Sequence, residues 1–459
     1  MLLITRIRSF SFKLKTLLMN VFVNLVNRSS MMNLYLPIFL VLSVYLPVGP
    51  ELRSDFFIVP FLFGITLMAI LGKGKVLHID KSILWISLYI VAHFASTFSF
   101  IAFSYDSAST LNFASFTEMQ YWFRMIMIII VMRNISYNTL AFEKAFKYFF
   151  YVAIAILALG VLESMRVFPK FYETFMDQFF FSDKFENMRK SLVQSYVRKA
   201  TSTLCSPSIF AYFCMFILWI TLKYPKRLIP FIPRFALIIF LFVAGFASDS
   251  KIFYVGLLAI FFYEEVVIKK RLQYFLIFIA LFVLIVVYLF TLDEQSLPVF
   301  ARNIVMRIKV VNSIGLYDVF FKTRFDSSTG LLHNNVVLFQ ENWLLGTGMN
   351  RIDGIFYGDS FLLTNLLKVG VLGFSVFVFL MVNLFRRLNN VYKTEEDPLL
   401  KTMAYVLRNF IILNFLFSIG IDSFTLTRVS DMMFALIFIV LYMSASREKN
   451  RAASITNNA

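Results

Sequence analysis

The sequence predicts an all-α integral membrane protein with about twelve transmembrane helices. Hydrophobic residues make up 59% of its 459 residues, and its mean hydropathy is +0.75. A water-soluble protein needs a polar exterior, so we expect a chain this apolar to use the bilayer as its solvent. The apolar runs are continuous instead of alternating, and about twenty apolar residues cross the hydrocarbon layer as a helix. These features favour helices over strands.

Apolar runs separated by charged breaks place the predicted spans. The spans cover 33–49, 55–72, 83–103, 113–132, 146–165, 207–222, 229–247, 252–268, 273–292, 359–385, 404–421 and 428–445. The first thirty residues mix basic and apolar positions, which predicts an amphipathic segment on the membrane surface and not a cleaved signal.

The distribution of Lys and Arg predicts that both termini face the cytoplasm. One set of alternate short loops is rich in these residues, whereas the opposite loops PELRSD, SYDSASTLN and GIDSFTLT nearly lack them. Cytoplasmic loops hold the excess of basic residues, and this alternation requires an even number of spans. Topology therefore explains most of the formal net charge of +17, and a nucleic-acid partner is not expected.

Two long connections, outer loops 166–206 and 293–358, are expected on the outer side of a single membrane domain that covers 1–459. Long ordered loops on a compact scaffold are usually functional. Together they hold basic residues that can bind phosphate oxygens: Arg198, Lys199, Arg302, Arg307, Lys309, Lys322, Arg324 and Arg351. The set predicts an anionic ligand at the outer interface, although anionic lipid headgroups remain the alternative for each single cation.

Other positions have a structural and a functional interpretation. Gly346 and Gly348 in GTG allow a tight turn or a close approach of backbone to a ligand. Asp359 opens a predicted span, where it serves either as a helix cap or as a catalytic carboxylate. Lys251, at a span edge, can snorkel to the interface, and Arg124 is an intramembrane charge expected to face a polar cavity.

A metal site is not predicted. His333 has no second histidine on the outer side, and the sequence contains no HExxH motif or acidic DxD pair there.

Four segments resemble the bacterial O-antigen polymerase and O-antigen ligase superfamily of Wzy and WaaL type. They are RKATSTLCSPSIFAYF, ASDSK, FDSSTGLLHNNVVLFQENWLLGTGMN and DSFLLTNLLKVGVLGF, in this order along the chain. The resemblance runs from about Arg198 to the end, and the N-terminal half agrees only in hydropathy. Leu331 stands where the family often has arginine, and Asp359 stands where ligases usually have histidine, which favours a polymerase.

The resemblance implies a GT-C-like glycosyltransferase in the bacterial inner membrane with its active site on the periplasmic face. Its donor and acceptor would be undecaprenyl-diphosphate-linked oligosaccharides, surrounded by membrane lipid, with a chain-length regulator as a further partner. No cofactor or metal is implied. A lipid diphosphate leaving group needs fixed cations, which predicts that Arg198 and Arg324 act in catalysis with Asp359 as the base.

The remaining predicted residues would bind the diphosphate or the sugars: Lys199, Lys251, Arg302, Lys322, Gly346, Gly348, Arg351 and Tyr357. Two other functions stay open. A ligase would transfer the glycan to the lipid A core, and a flippase or transporter of lipid-linked oligosaccharides can also have about twelve spans. Repeated halves with charges at mid-membrane are typical of transporters, whereas this sequence concentrates its charge in two unequal outer loops.

Overall fold

Long apolar helices make up most of the described chain in the computed structural model. The structure describes residues 33–44, 53–72, 77–103, 109–110, 113–134, 138–168, 171, 199–204, 206–293, 296–326, 330, 332–352, 354–357, 360–421, 423–425 and 428–458. The helices are α1 (Leu36–Val41), α2 (Asp55–Gly72), α3 (Lys81–Phe103), α4 (Phe113–Arg133), α5 (Thr139–Ser164), α6 (Pro207–Lys223), α7 (Arg234–Ala247), α8 (Lys251–Phe261, continued as a π-helix over Phe262–Ile268), α9 (Leu272–Thr291), α10 (Val299–Ile314), α11 (His333–Glu341), α12 (Phe361–Thr394), α13 (Pro398–Phe417) and α14 (Val429–Asn458).

The helices confirm an all-α protein of membrane type. Within the described residues, six helices are long and apolar enough to cross a bilayer, namely α3, α5, α9, α12, α13 and the first part of α14. The apolar helices α2, α6 and α7 are shorter. The prediction of about twelve spans, and of the side that each loop faces, stays a prediction.

Helix α9 shows most directly that the surroundings are apolar. None of its side chains is buried by the rest of the protein, although it is the most hydrophobic of the six long helices. Leu276, Leu284 and Ile285 are each more than half exposed. A helix that is apolar on every side and exposed to water would be strongly disfavoured, so the exposed faces of α9 suit lipid.

The centre of the bundle is formed by α6, α13 and α14. Side chains from Phe210 to Ile220 on α6 are almost completely buried, because α6 packs against α7, α8 and α13. Aromatic rings fill this interior at edge-on angles, as between Tyr212 and Phe410 with ring centroids 5.1 Å apart. Such pairs add stabilisation beyond the area that they bury.

Helix α12 is broken at Gly370, and the GTG turn fills the break. Gly370 has φ 61° and ψ −173°, so the helical hydrogen bonds are interrupted there. The amides of Thr347 and Gly348 donate to the carbonyls of Leu367 and Lys368 at 2.8 and 2.7 Å. In return, the amide of Val371 donates to Trp343 O at 2.8 Å. The turn therefore satisfies backbone groups that the break exposes.

The predicted outer loop 293–358 contains several short elements of regular structure. It includes α10, α11, a π-helical turn over Asp318–Lys322 and a one-turn helix, Thr323–Phe325. Strand β2 (Arg351–Ile352) pairs antiparallel with β1 (Ser109–Thr110), which connects this loop to the segment before α4. We call the end of the bundle that carries this loop the long-loop end, and the other the short-loop end.

At the short-loop end, ion pairs join helices that are distant in sequence. Arg387 on α12 holds Asp80 through two hydrogen bonds of 2.9 and 3.0 Å. Burial raises the pKa of Asp80, but the hydrogen bonds and charge of Arg387 outweigh burial and lower it to about 2. Glu264 accepts from Trp219 and Tyr405 at 2.7 and 2.9 Å. The first pair fixes α12 to the start of α3, and Glu264 fixes the π-helical end of α8 to α6 and α13.

Replacing Gly370 with alanine should destabilise the fold. Its Cβ would lie 2.2 Å from the carbonyl oxygen of Leu344, and φ +61° strains any L residue by roughly 1–3 kcal/mol before that clash. Gly64→Ala is the matched control, since nothing lies within 4 Å of the added carbon. We expect a clearly lower Tm in detergent for Gly370→Ala only, and equal Tm values for both variants would contradict the packed break.

Candidate functional site

Asp249 gathers basic side chains from distant parts of the chain at the long-loop end. Its carboxylate lies 3.3 Å from Lys199 Nζ and accepts two hydrogen bonds from Arg307, at 2.6 and 3.3 Å. Arg307 also donates to the Asp249 carbonyl at 3.0 Å. Lys199 belongs to the first long loop and Arg307 to α10 in the second, so both loops meet at the turn between α7 and α8.

Lys251 and Arg324 adjoin this group. The Lys251 ammonium donates to the carbonyl of Val319, and Arg324 donates to Gly420 O at 3.0 Å. Lys251 is the first residue of α8. Burial lowers its pKa, and the positive charges of Arg307, Arg324 and Lys199 lower it further against the opposing effect of Asp249. We call Lys199, Lys251, Arg307 and Arg324 the cationic cluster.

The backbone that carries Lys199 is held firmly in place. Ala200 N donates to Ala247 O at 2.9 Å, and the buried carboxylate of Glu163 accepts from the amides of Thr201 and Ser202 at 3.0 and 2.6 Å. Ser202 has a φ of +51°, a strained conformation that these contacts stabilise. Lys199 therefore extends from a fixed segment.

The N-termini of α6 and α8 meet beside the cationic cluster. Ser206 caps α6 by accepting from Ser208 N at 3.3 Å. Ser208 in turn accepts a hydrogen bond from Ser250, the residue before α8, at 3.5 Å. Helix N-termini carry partial positive charge, so both helices add to the four side-chain charges. The side-chain charges and the helix N-termini together form a region suited to an anion.

Three predicted site residues, Lys199, Lys251 and Arg324, are thus brought together by the structure. Two others, Arg198 and Asp359, lie outside the described residues.

The remaining predicted residues have other contacts than those of the cationic cluster. Arg302 donates to Leu297 O at 3.3 Å near the start of α10. Lys322 is about half exposed and lies 3.6 Å from Asp318. The backbone of Arg351 pairs in β2, and its side chain is outside the described part.

Gly346, Gly348 and Tyr357 surround the break in α12. A Cβ on Gly346 would lie 2.6 Å from Gly370 N, and one on Gly348 would lie 2.3 Å from the Cα of Thr97. Tyr357 donates to Asn350 O at 3.0 Å, and the Lys368 ammonium lies 5.2 Å from its ring centroid. Close packing of backbone therefore explains both glycines, and their role in binding stays a prediction.

Sequence reasoning missed a buried ion network next to this site. Arg124 lies 2.6 Å from Asp55 and 2.7 Å from Asp431, and Arg53 lies 2.9 Å from Asp55. All four side chains are at least 94% buried. The network joins α2, α4 and α14. The sequence predicted that Arg124 faces a polar cavity, and the structure places it between two carboxylates instead.

Arg428 lies close to Arg53 of this network and to the segment that carries Lys199. Its guanidinium donates to Ser43 at 3.2 Å and to the carbonyl of Thr203, which belongs to the segment that carries Lys199. Arg428 is 2% exposed. The sequence offered one signal for Asp249, namely its place in the ASDSK turn. It offered no signal that Asp55 and Asp431, which are far apart in the chain, both contact Arg124.

Within the described ranges, no three His, Cys, Asp or Glu side chains are placed to hold a metal ion together. No protein-family model matches the chain, and no curated protein matches it at a significant level. The class that the structure defines is therefore an all-α membrane protein with a cationic cluster at one end of its bundle.

Arg124→Met should strongly destabilise the protein. Removing one partner of a buried ion pair costs about 3–5 kcal/mol, because the remaining charge is left unpaired in the interior. Adding Asp431→Asn to this variant should recover part of the loss. Lys147→Met is the control, since Lys147 is 54% exposed and lies 3.8 Å from Glu143, a pair worth a few tenths of a kcal/mol. Similar Tm values for Arg124→Met and Lys147→Met would contradict the network.

Proposed function

We propose that the protein polymerises undecaprenyl-diphosphate-linked oligosaccharides at the periplasmic face of the bacterial inner membrane. The observation that carries this proposal is the convergence of Lys199, Lys251, Arg307 and Arg324 around Asp249. In this proposal the chain crosses the membrane about twelve times with both termini in the cytoplasm, as a GT-C-like glycosyltransferase. The sequence resemblance and the cationic cluster support the same substrate.

The chemistry of the reaction explains why cations would be needed. When an acceptor hydroxyl attacks the anomeric carbon, the bond to the lipid diphosphate breaks and the leaving group takes the electron pair. Fixed cations stabilise the negative charge that develops on it, and they act more strongly where water is partly excluded. Arg307 and Lys251 are only partly exposed, and their positions are set by hydrogen bonds before any substrate arrives.

The arginine fork suits a diphosphate. A guanidinium can donate two parallel hydrogen bonds to phosphate oxygens, whereas an ammonium acts as a point charge. In this proposal Arg324 and Arg198 contact the diphosphate directly, Lys199 and Lys251 add charge, and Asp359 accepts the proton of the acceptor hydroxyl. Asp249 holds Lys199 and Arg307 in place until the anion replaces part of its contact.

An O-antigen ligase would use the same donor and the same cations, with the lipid A core as acceptor. A flippase would bind the diphosphate without breaking a bond. The three functions differ in the glycans that reach the cell surface.

Arg324→Ala should reduce polymerisation at least about a hundredfold, the usual effect of removing one donor that stabilises a developing anion. Arg324→Lys should restore part of the activity, since charge returns without the fork. The matched control is Arg386→Ala, an exposed arginine at the short-loop end. Chain length is read from a gel of surface polysaccharide in a deletion strain that expresses each variant at equal level.

The same gel, run on the deletion strain, separates a polymerase from the other two functions. Single repeats attached to the core without long chains indicate a polymerase, whereas the absence of all attached repeats indicates a ligase or a flippase. A normal ladder of chain lengths from Arg324→Ala would show that the cationic cluster does not act in the reaction as proposed.

A further inference from the structure

A cleft of about 440 Å³ lies at the long-loop end, between the last turn of α3 and the residues that follow α11. Its walls include aromatic rings and polar side chains: Ser99, Phe100, Phe103, Glu341, Asn342 and Trp343. Trp343 is 54% exposed and Phe103 is 83% exposed. Gly346, which the sequence predicts to bind the diphosphate or the sugars, also lines this cleft, whereas the four residues of the cationic cluster do not.

The charge of the cleft argues against a phosphate and against a lipid tail. Among the described residues that line it, only Glu341 is charged, so a diphosphate or an anionic headgroup would be repelled. A hydrocarbon chain would remove water from this carboxylate without offering a hydrogen bond, which is costly.

A neutral sugar carries no charge that Glu341 would repel, and it offers hydrogen bonds to that carboxylate. The C–H face of a sugar ring packs on an aromatic face such as Trp343, while its hydroxyl groups donate to a carboxylate such as Glu341 and bond with an amide such as Asn342.

Helix α11 connects the cleft to the cationic cluster. Leu332 N donates to Arg324 O at 2.6 Å, so the start of α11 is anchored at a residue of the cationic cluster. Glu341 is the last residue of this nine-residue helix. At a rise of 1.5 Å per residue, the helix separates the two places by roughly 14 Å. An oligosaccharide can extend over this distance, whereas a single sugar cannot.

We infer that this cleft binds a sugar ring of the lipid-linked glycan whose diphosphate the cationic cluster holds. The inference rests on the proposed function for the identity of the glycan. The cleft is then a second binding site, about one short helix away from the reacting bond, and it recognises the repeat unit by Trp343 and Glu341. The cleft selects the glycan and the cationic cluster binds its leaving group.

The test uses the full-length protein in nanodiscs and, as the probe, the lipid-free oligosaccharide obtained by mild acid hydrolysis of the host's lipid-linked repeat. Adding the probe should change tryptophan emission in a saturable way, and Trp343→Phe should lose this change. Trp85→Phe is the control. Trp85 lies near the start of α3, whereas the cleft is at the end of that helix, and its ring packs on Phe379 of α12. Glu341→Gln should raise the Kd about tenfold, as expected for losing a hydrogen bond to a charged group. Glu143→Gln, on α5, should leave the Kd unchanged.

The outcomes separate this inference from the proposed function. The probe lacks a diphosphate, so Arg324→Ala should bind it normally while losing polymerisation. Two results would overturn the cleft as a sugar site. The first is tryptophan emission that shows no saturable change with the probe. The second is an emission change that persists in Trp343→Phe, together with an unaltered Kd in Glu341→Gln. Normal polymerisation by Arg324→Ala together with probe binding at Trp343 would overturn the diphosphate role and leave the cleft in place.

Discussion

The structure depends on the neutralisation of charges inside an apolar bundle. Arg124 is 5% exposed and contacts Asp55 on α2 and Asp431 on α14. An isolated charge there would cost several kcal/mol, so each of these helices needs the others in order to stay in place. Two guanidinium groups, from Arg53 and Arg124, balance two carboxylates, and the group as a whole is neutral.

The cationic cluster brings four basic side chains to one end of the bundle. Two of them, Lys199 and Arg307, contact Asp249, whereas Lys251 and Arg324 donate to the carbonyls of Val319 and Gly420. Arg428 donates to Thr203 O, in the segment that carries Lys199, and Asp431 of the buried ion network follows three residues later in the chain. This short stretch of chain therefore links the interior ion pairs to the segment that carries Lys199, which helps to hold that cation in place.

Hydropathy was sufficient to predict an all-α protein with long apolar helices, because these depend on local composition. Lys199, Lys251 and Arg324 were named from the basic composition of the connecting segments, and the structure places them together. The break in α12 was not predicted, since Gly370 in VGVLGF lies in an apolar run that is compatible with a continuous helix. Only the pairing with Thr347 and Gly348 shows why the break is stable. The partners of Arg124 were missed for the same reason: Asp55 and Asp431 meet it only through the tertiary fold.

The break in α12 also has a consequence for the cleft. Trp343 O accepts from Val371 N, so the backbone of the tryptophan that lines the cleft is fixed to the middle of a long helix. Glu341 is fixed through α11, whose start is bonded to the backbone of Arg324. A ligand held by both the cleft and the cationic cluster would therefore bind to two rigid places, and little loop ordering would be needed on binding. Binding to preformed places loses less conformational entropy than ordering a mobile loop does, so such a pair of sites would suit a long and flexible ligand such as the proposed lipid-linked glycan.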